Sequence, residues 1–289
     1  MRSTKSYSSR IAIAFDFDET LIPDDSFKVL LQDCQIDVAS FIENRVQPLR
    51  DNGWDKYLAR AYCLIKESQQ RQNGDKITKN RLIELGKKLK LYDEVTEMFD
   101  RLRQQAAKID DEIELEFYLI SGGFIDIPRH TPIAKHFKRM WGCEFQYSDR
   151  GEIEFLQRQM TSTEKTRYLY YLSKGIDKEN DKDLIYNYQD LPPDEIYVPL
   201  NQVIYVGDGA SDIPCFTVIN QYGGIAIGIY SQSHTADEWE YLENIGASQK
   251  VSNLVPAGYG LDSELMRSLS LAIDCIGKQI ALRKLSIGE

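Results

Sequence analysis

Ile11-Ala12-Ile13-Ala14-Phe15-Asp16-Phe17-Asp18-Glu19-Thr20-Leu21 begins as an unbroken apolar run and turns abruptly acidic at Asp16. Continuous apolarity without alternation suits a strand covered by helices on both faces, as in a parallel sheet. Two later stretches repeat the pattern: Phe117-Tyr118-Leu119-Ile120 stops at Ser121, and Val203-Ile204-Tyr205-Val206 stops at Gly207. Gly224 to Ile229 is a fourth candidate strand. Amphipathic helical patterns separate these runs, so the expected class is α/β, a parallel sheet between helical layers. Ligands of such sheets sit beyond the carboxyl ends of the strands, which makes the groups after Phe15, Ile120 and Val206 converge on one edge.

Between the first two strands lie about ninety residues of helical character, far more than the dozen or so a crossover needs. Trp54, Leu58, Ala61 and Ile65 keep one helical face, as do Leu82, Leu85 and Leu89, and then Val95, Met98 and Leu102. The excess reads as a helical domain at 23–109 inserted into a sheet domain made of 1–22 and 110–289. Downstream, Pro132 to Trp141, Thr163 to Lys174 and Asp262 to Lys284 read as helices. Cys143 to Tyr147 and Glu152 to Leu156 read as a hairpin around Asp149-Arg150-Gly151. Ile176 to Leu200, acidic and broken by Pro192-Pro193, reads as a surface loop in preference to a docking excursion.

The chain has 289 residues and a formal net charge of −10. At about 150 residues per domain that length gives roughly two domains, or one with a large insertion. A pI near 5.0 argues against nucleic acid as a partner. The apolar runs stop far short of the 18 or so residues that span a bilayer, so no membrane association is expected. The basic opening lacks a signal-peptide core. Cys34, Cys63, Cys143, Cys215 and Cys275 are widely spaced with no CxxC pair, which points to packing roles in a reducing, cytoplasmic setting. His130, His136 and His234 lack metal-binding spacing.

The first strand end carries two carboxylates, Asp16 and Asp18, and the third carries two more, Asp208 and Asp212. Sharing one pocket, they would repel one another unless a cation sat among them. A hard, oxygen-seeking ion such as Mg²⁺ suits such a set and leaves positions for water and phosphate. Ser121-Gly122-Gly123 adds a hydroxyl and a permissive backbone able to approach an anion closely. Lys165, near the start of a predicted helix, adds positive charge. A nucleophilic carboxylate, a second carboxylate, a cation and anion donors make up the set that phosphoryl transfer needs.

The chain resembles the haloacid dehalogenase-like hydrolase superfamily, and most nearly its phosphoserine-phosphatase-like branch. Asp16-Phe17-Asp18-Glu19-Thr20 is similar to the DxDxT motif, Ile120-Ser121-Gly122-Gly123-Phe124 to the second motif in its SGGF form, Lys165 to the third, and Gly207 to Asp212 to the GDGxSD fourth. Glu19 and Ser211 stand where phosphoserine phosphatases usually carry Ser and Asn. The resemblance implies a Rossmann-like core with a helical cap after the first strand, and a Mg²⁺-dependent phosphatase acting through an aspartyl-phosphate. Asp16 would be the nucleophile and Asp18 the acid and base. Thr20 would hold the turn and Asp18, Ser121 and the Gly122 N–H would bind phosphate, and Lys165 would steady Asp16. The cation would be held by Asp16, the Asp18 carbonyl and Asp208, with Asp212 a ligand through water or a partner of Lys165. Asp24 or Asp25, with Arg45, Arg50 or Arg60, are counterparts of the cap residues that hold the amino acid in that branch.

The expected partner is a small phosphorylated metabolite, and the chain is expected to be a monomer or homodimer. A phosphomutase or other phosphotransferase, and a non-catalytic binding module on the same fold, are the alternatives. A DxD glycosyltransferase would leave Thr20, Lys165 and the GDGASD run unexplained.

Overall fold

The computed structural model describes residues 8–72, 74–176, 191–209, 211–231 and 251–287. Among the described residues seven strands form one sheet: β1 (Arg10–Phe15), β2 (Glu114–Phe124), β3 (Phe137–Tyr147), β4 (Ile153–Arg158), β5 (Val203–Gly207), β6 (Ile225–Tyr230) and β7 (Asn253–Pro256). Their order is β4-β3-β2-β1-β5-β6-β7, parallel throughout except for β4, which runs antiparallel to β3. β1 lies at the centre because both its faces are apolar, and Ile11 to Phe15 are all fully buried. Phe15 is level with Leu119 on one side and Val206 on the other, so β1 and β5 end nearly together while β2 continues past them to Phe124. The chain leaves β1 for β2 and later returns to β5 on the opposite side, which opens a crevice at the carboxyl end of β1.

The segment between β1 and β2 is helical, as its periodicity predicts. It holds α1 (Ser26–Asp33), α2 (Val38–Phe41), a π-helical turn (Ile42–Val46), α3 (Gln47–Asp51), α4 (Lys56–Gln70), α5 (Lys79–Lys88) and α6 (Val95–Ala107). Side-chain caps start four of them: Asp25 accepts from Phe27 N, Asp37 from Ser40 N, Asp55 from Tyr57 N and Leu58 N, and Thr78 from Arg81 N. The segment also rests on the β3–β4 hairpin, where Gly151 O accepts from Lys79 N at 2.8 Å and Ile77 O from Ile153 N at 3.1 Å. The buried stripe of α4 is Tyr57, Ala61, Leu64 and Ser68, one step round from the expected Trp54-Leu58-Ala61-Ile65 face.

Among the described residues the remaining α-helices are α7 (Glu164–Lys174), α8 (Ile213–Gln221) and α9 (Glu264–Ile287). Phe99 of α6 packs edge-on to Phe117 at 4.9 Å and to Phe15 at 6.5 Å, and Gln105 bonds Asp274 of α9 at 2.7 Å, which places α6 and α9 on one face of the sheet. Trp141 meets Tyr168 of α7 and Tyr205 meets Phe216 of α8 on the other face. Helices thus cover both faces, a three-layer Rossmann-like α/β arrangement.

Pro132 to Trp141 is not a helix. It contains a short 3-10 turn, Ala134–His136, and then β3. Ile133, Phe137 and Trp141 recur every four residues, a spacing that also fits the two-residue period of a strand, and pairing of Phe137 with Phe117 and of Trp141 with Ile120 decides the outcome. β2 also runs past Ile120 to Phe124, and β7 has no forerunner in the sequence reading. The hairpin around Asp149-Arg150-Gly151 and the helices at Glu164 and Glu264 form as expected. Residues 177–190 of the acidic stretch lie outside the described residues, as does His234.

Phe99 is fully buried among Phe15, Phe117, Phe137 and the stacked His136 ring. Phe99→Ala is expected to cost about 3–5 kcal/mol in urea unfolding, the cost of an aromatic-sized cavity. A loss under about 1 kcal/mol would show that this layer is not packed as described.

Candidate active site

At the end of β1 the chain turns sharply. Phe17 O accepts from Thr20 N at 3.2 Å and Leu21 N at 2.8 Å, and Glu19 takes a left-handed conformation, φ +55°. Asp16 N donates to Val206 O at 2.9 Å, tying the turn to β5. The Asp16 carboxylate accepts from Phe17 N at 2.7 Å. Asp18 is held from a different direction: its Oδ1 accepts from Ser26 N, the first residue of α1, at 2.8 Å. The hold on Asp18 that the family resemblance implies for Thr20 therefore comes from Ser26. The Thr20 hydroxyl is buried with no hydrogen-bond partner among the described residues, and its carbonyl accepts from the Tyr259 hydroxyl.

Lys165, in the first turn of α7, reaches this turn with no exposed surface. Its Nζ donates to Asp16 Oδ2 at 2.7 Å, Asp212 Oδ1 at 2.8 Å and Ser211 Oγ at 3.3 Å. Asp212 Oδ1 accepts a further bond from Tyr205 OH at 2.6 Å. Asp212 comes this close because residue 207 is glycine, where a β-carbon would lie 2.4 Å from Asp212 Cγ. Gly123 plays the same part across the crevice: a β-carbon there would lie 2.8 Å from Asp18 Oδ2. Gly123 N donates to Ser121 Oγ at 3.0 Å, and regular pairing of β2 with β3 is interrupted between Ile120 and Phe124, so Ser121 and Gly122 face the crevice from an irregular backbone.

The electrostatics are unbalanced. The Lys165 ammonium pairs with Asp16 and Asp212 and attracts Asp208, while Asp18 lies nearer Asp25 and Arg60. Burial pushes the Asp16 carboxyl up to about 7, with the Lys165 attraction opposing and the Asp212 charge adding to the rise. Burial, then the Asp25 charge, lifts Asp18 to about 6. Burial and the charges of Asp212 and Asp16 hold Asp208 well above the ordinary carboxylate range. Burial alone would lower Lys165, but Asp16 and Asp212 outweigh it and keep the ammonium charged.

Oxygens of Asp16, Asp208 and Asp212 lie within 4.8 Å of one another, and Asp212 Oδ2 is buried without a hydrogen-bond partner among the described residues. Three hard oxygens, surplus negative charge and an orphaned lone pair fit a divalent cation such as Mg²⁺. The Asp18 carboxylate is outside this trio and faces Ser26 and Gly123.

The crevice encloses about 50 Å³ and extends from Asp16 and Asp208 toward α4, where Lys56, Tyr57 and Arg60 line it. Arg60 makes a paired contact with Asp25, 2.7 and 3.3 Å, and its guanidinium sits 4.7 Å from the Phe27 ring centre. That pairing outweighs burial and holds the Asp25 carboxyl below its ordinary range. Asp24 and Arg50 are exposed, and Arg45 pairs with Glu67 instead. Lys56, Tyr57, Tyr205 and Ser26 were not singled out by sequence reasoning. Asp55, the helix cap that aims Lys56 and Tyr57, was the available signal. All five cysteines are free thiols, and His136 stacks on Phe99 while His130 bonds Asp126 O.

Between the ordinary Asp value of about 3.9 and a pH of about 7, the cation-free fold holds more protons on Asp16 and Asp18 than the unfolded chain does. Its stability therefore falls as pH rises through that window. A bound cation competes with those protons, so the rise in thermal midpoint on adding Mg²⁺ is expected to be larger near pH 8 than near pH 5. An equal or smaller rise at the higher pH would contradict this electrostatic description.

No protein-family profile matches the chain. An uncharacterized protein of Borreliella burgdorferi is 25% identical over 235 residues, 73% of this chain and 78% of that protein. A HAD-family hydrolase of Salmonella enterica serovar Typhi superposes with a TM-score of 0.55 at 14% identity, over 86% of this chain and 67% of its own. A phospho-aspartyl intermediate analogue of phosphoserine phosphatase gives 0.53 at 14% identity, over 91% and 98% of the two chains. A probable phosphoserine phosphatase from Vibrio cholerae gives 0.57 at 12% identity, over 96% and 68%. At these identities the likeness is one of fold, and the chain has the fold of the haloacid dehalogenase-like hydrolases, in the form that phosphoserine phosphatases share.

Proposed function

We propose that the chain is a Mg²⁺-dependent phosphatase that hydrolyses a small phosphorylated metabolite through an aspartyl-phosphate. One observation carries the reading: a fully buried lysine joins Asp16 to Asp212 at 2.7 and 2.8 Å within a trio of carboxylates, Asp16, Asp208 and Asp212, whose oxygens lie within 4.8 Å of one another. A catalyst of phosphoryl transfer must place a nucleophile and neutralise charge on the transferring group, and a fixed carboxylate beside an ammonium and a candidate cation site supports that reading.

In the proposed reaction an Asp16 carboxylate oxygen attacks phosphorus, and the bond from phosphorus to the ester oxygen breaks. Asp18, protonated, gives its proton to the departing oxygen and an alcohol leaves. Water then attacks the phosphoryl group on Asp16, Asp18 takes a proton from it, and inorganic phosphate and free Asp16 are regenerated. Ser121 Oγ and the Gly122 N–H hold phosphoryl oxygens, and Lys165 fixes the Asp16 rotamer and offsets charge. Thr20 supports the turn that carries both aspartates. When bound, Mg²⁺ would be held by Asp16, Asp208 and the Asp18 carbonyl, with Asp212 beside it, and would supply charge neutralisation at the phosphoryl group. We also propose that 23–109 acts as a cap over a core of 1–22 and 110–289, since Asp25, Lys56, Tyr57 and Arg60 all reach the crevice from that segment.

Hydrolysis of p-nitrophenyl phosphate with and without Mg²⁺ tests the reading. Turnover that EDTA abolishes and that Asp16→Asn eliminates is expected, and Asp18→Asn is expected to lose about 10²–10⁴-fold. Metal-independent release, or full activity in Asp16→Asn, would refute it. Phosphoryl label recovered in an organic acceptor in place of water would reassign the chain as a phosphotransferase.

A further inference from the structure

Tyr57 is buried to nine-tenths at the mouth of the crevice, and the chemistry above does not use it. It occupies the first turn of α4, where Asp55 Oδ1 accepts from its backbone N–H at 2.9 Å and fixes the direction of the side chain. The ring lies directly over Gly122. A β-carbon at that glycine would stand 2.1 Å from Tyr57 Cζ and 2.3 Å from its hydroxyl oxygen, so the phenol sits where any other residue would place its side chain. Asp16, Asp18, Asp212 and Lys165 all act electrostatically on the phenol, which places it within the field of the reacting groups.

The hydroxyl makes no hydrogen bond to any described residue, and it is not among the side-chain oxygens sealed from solvent, so it opens into the crevice. Burial pushes its ionisation well above the usual tyrosine range, so it remains a donor. An unpartnered donor beside the Gly122 N–H, in a crevice otherwise dominated by carboxylates, lacks an acceptor that an anion entering the crevice would bring.

We propose that the Tyr57 hydroxyl donates a hydrogen bond to the phosphoryl group held against Ser121 and Gly122, so that α4 completes the oxyanion site from the cap side. The inference rests on the phosphatase reading and adds to it a catalytic residue on the inserted segment.

Tyr57→Phe keeps the ring on Gly122 and removes only the donor. Since no hydrogen bond is lost in the free protein, its thermal midpoint is expected to stay level or rise. With Mg²⁺ present, kcat on p-nitrophenyl phosphate and the calorimetric affinity for orthovanadate, a mimic of the transferring group, are each expected to fall about 10- to 100-fold, the range of one hydrogen bond to a charged group. Tyr57→Leu is expected to lose as much. Full activity and vanadate affinity in Tyr57→Phe, with losses only in Tyr57→Leu, would mean that the ring merely packs and would overturn the proposal. If the native protein neither turns over nor binds vanadate, the phosphatase reading falls first and the proposal with it.

Discussion

An ammonium with no exposed surface stays charged only if carboxylates share its burial, and Lys165 has two, Asp16 and Asp212. Asp16 follows the last residue of β1, Asp212 precedes α8 in the loop after the neighbouring β5, and the lysine comes from the first turn of α7. The three cannot meet unless β1 and β5 end level with each other, unless α7 begins beside them, and unless Gly207 leaves room for Asp212. The pairing of Phe15 with Val206 and the bond from Asp16 N to Val206 O set the first condition. The site is therefore a consequence of sheet register, and a one-residue slip of β5 would turn its side chains to the opposite face.

The same cluster is a burden on the fold. Lys165 pairs with only two of the carboxylates gathered there, and burial lifts Asp16, Asp18 and Asp208 above their ordinary range. Unpartnered groups remain as well, including Asp212 Oδ2 and the Thr20 hydroxyl. The apolar core around Phe15, Phe99 and Phe117 is closely packed, and α1, α2, α4 and α5 start on side-chain caps. Buried carboxylates with raised pKa gathered in a crevice are a pattern that functional sites share.

Much of this was legible in the sequence because its signals are short-range. Apolar runs that stop at Asp16, Ser121 and Gly207 disclose three buried strands and the ends of β1 and β5, whereas β2 runs on to Phe124. Helical periodicity discloses the insertion, although the stripe of α4 lies one step from where Trp54 and Leu58 suggest. β3 was misread because a four-residue spacing satisfies both periods, and only the pairing with β2, which sequence does not reveal, breaks the tie. The contacts of Tyr57 with Gly122 and of Ser26 with Asp18 join residues far apart in the chain or across a turn, and no local pattern announces them. Among Asp24, Asp25, Arg45, Arg50 and Arg60, the sequence offers equal candidates, and of these Asp25 and Arg60 pair with each other and line the crevice.

The central claim is that the Lys165-anchored Asp16 carboxylate forms the bond to phosphorus. The most direct test is to quench the protein with acid during turnover of a phosphorus-labelled ester in Mg²⁺ and to map the labelled peptide. The account predicts acid-stable, hydroxylamine-sensitive label on the peptide containing Asp16, as an acyl phosphate requires. Label on a histidine or serine peptide, or turnover with no label trapped at any time, would contradict it.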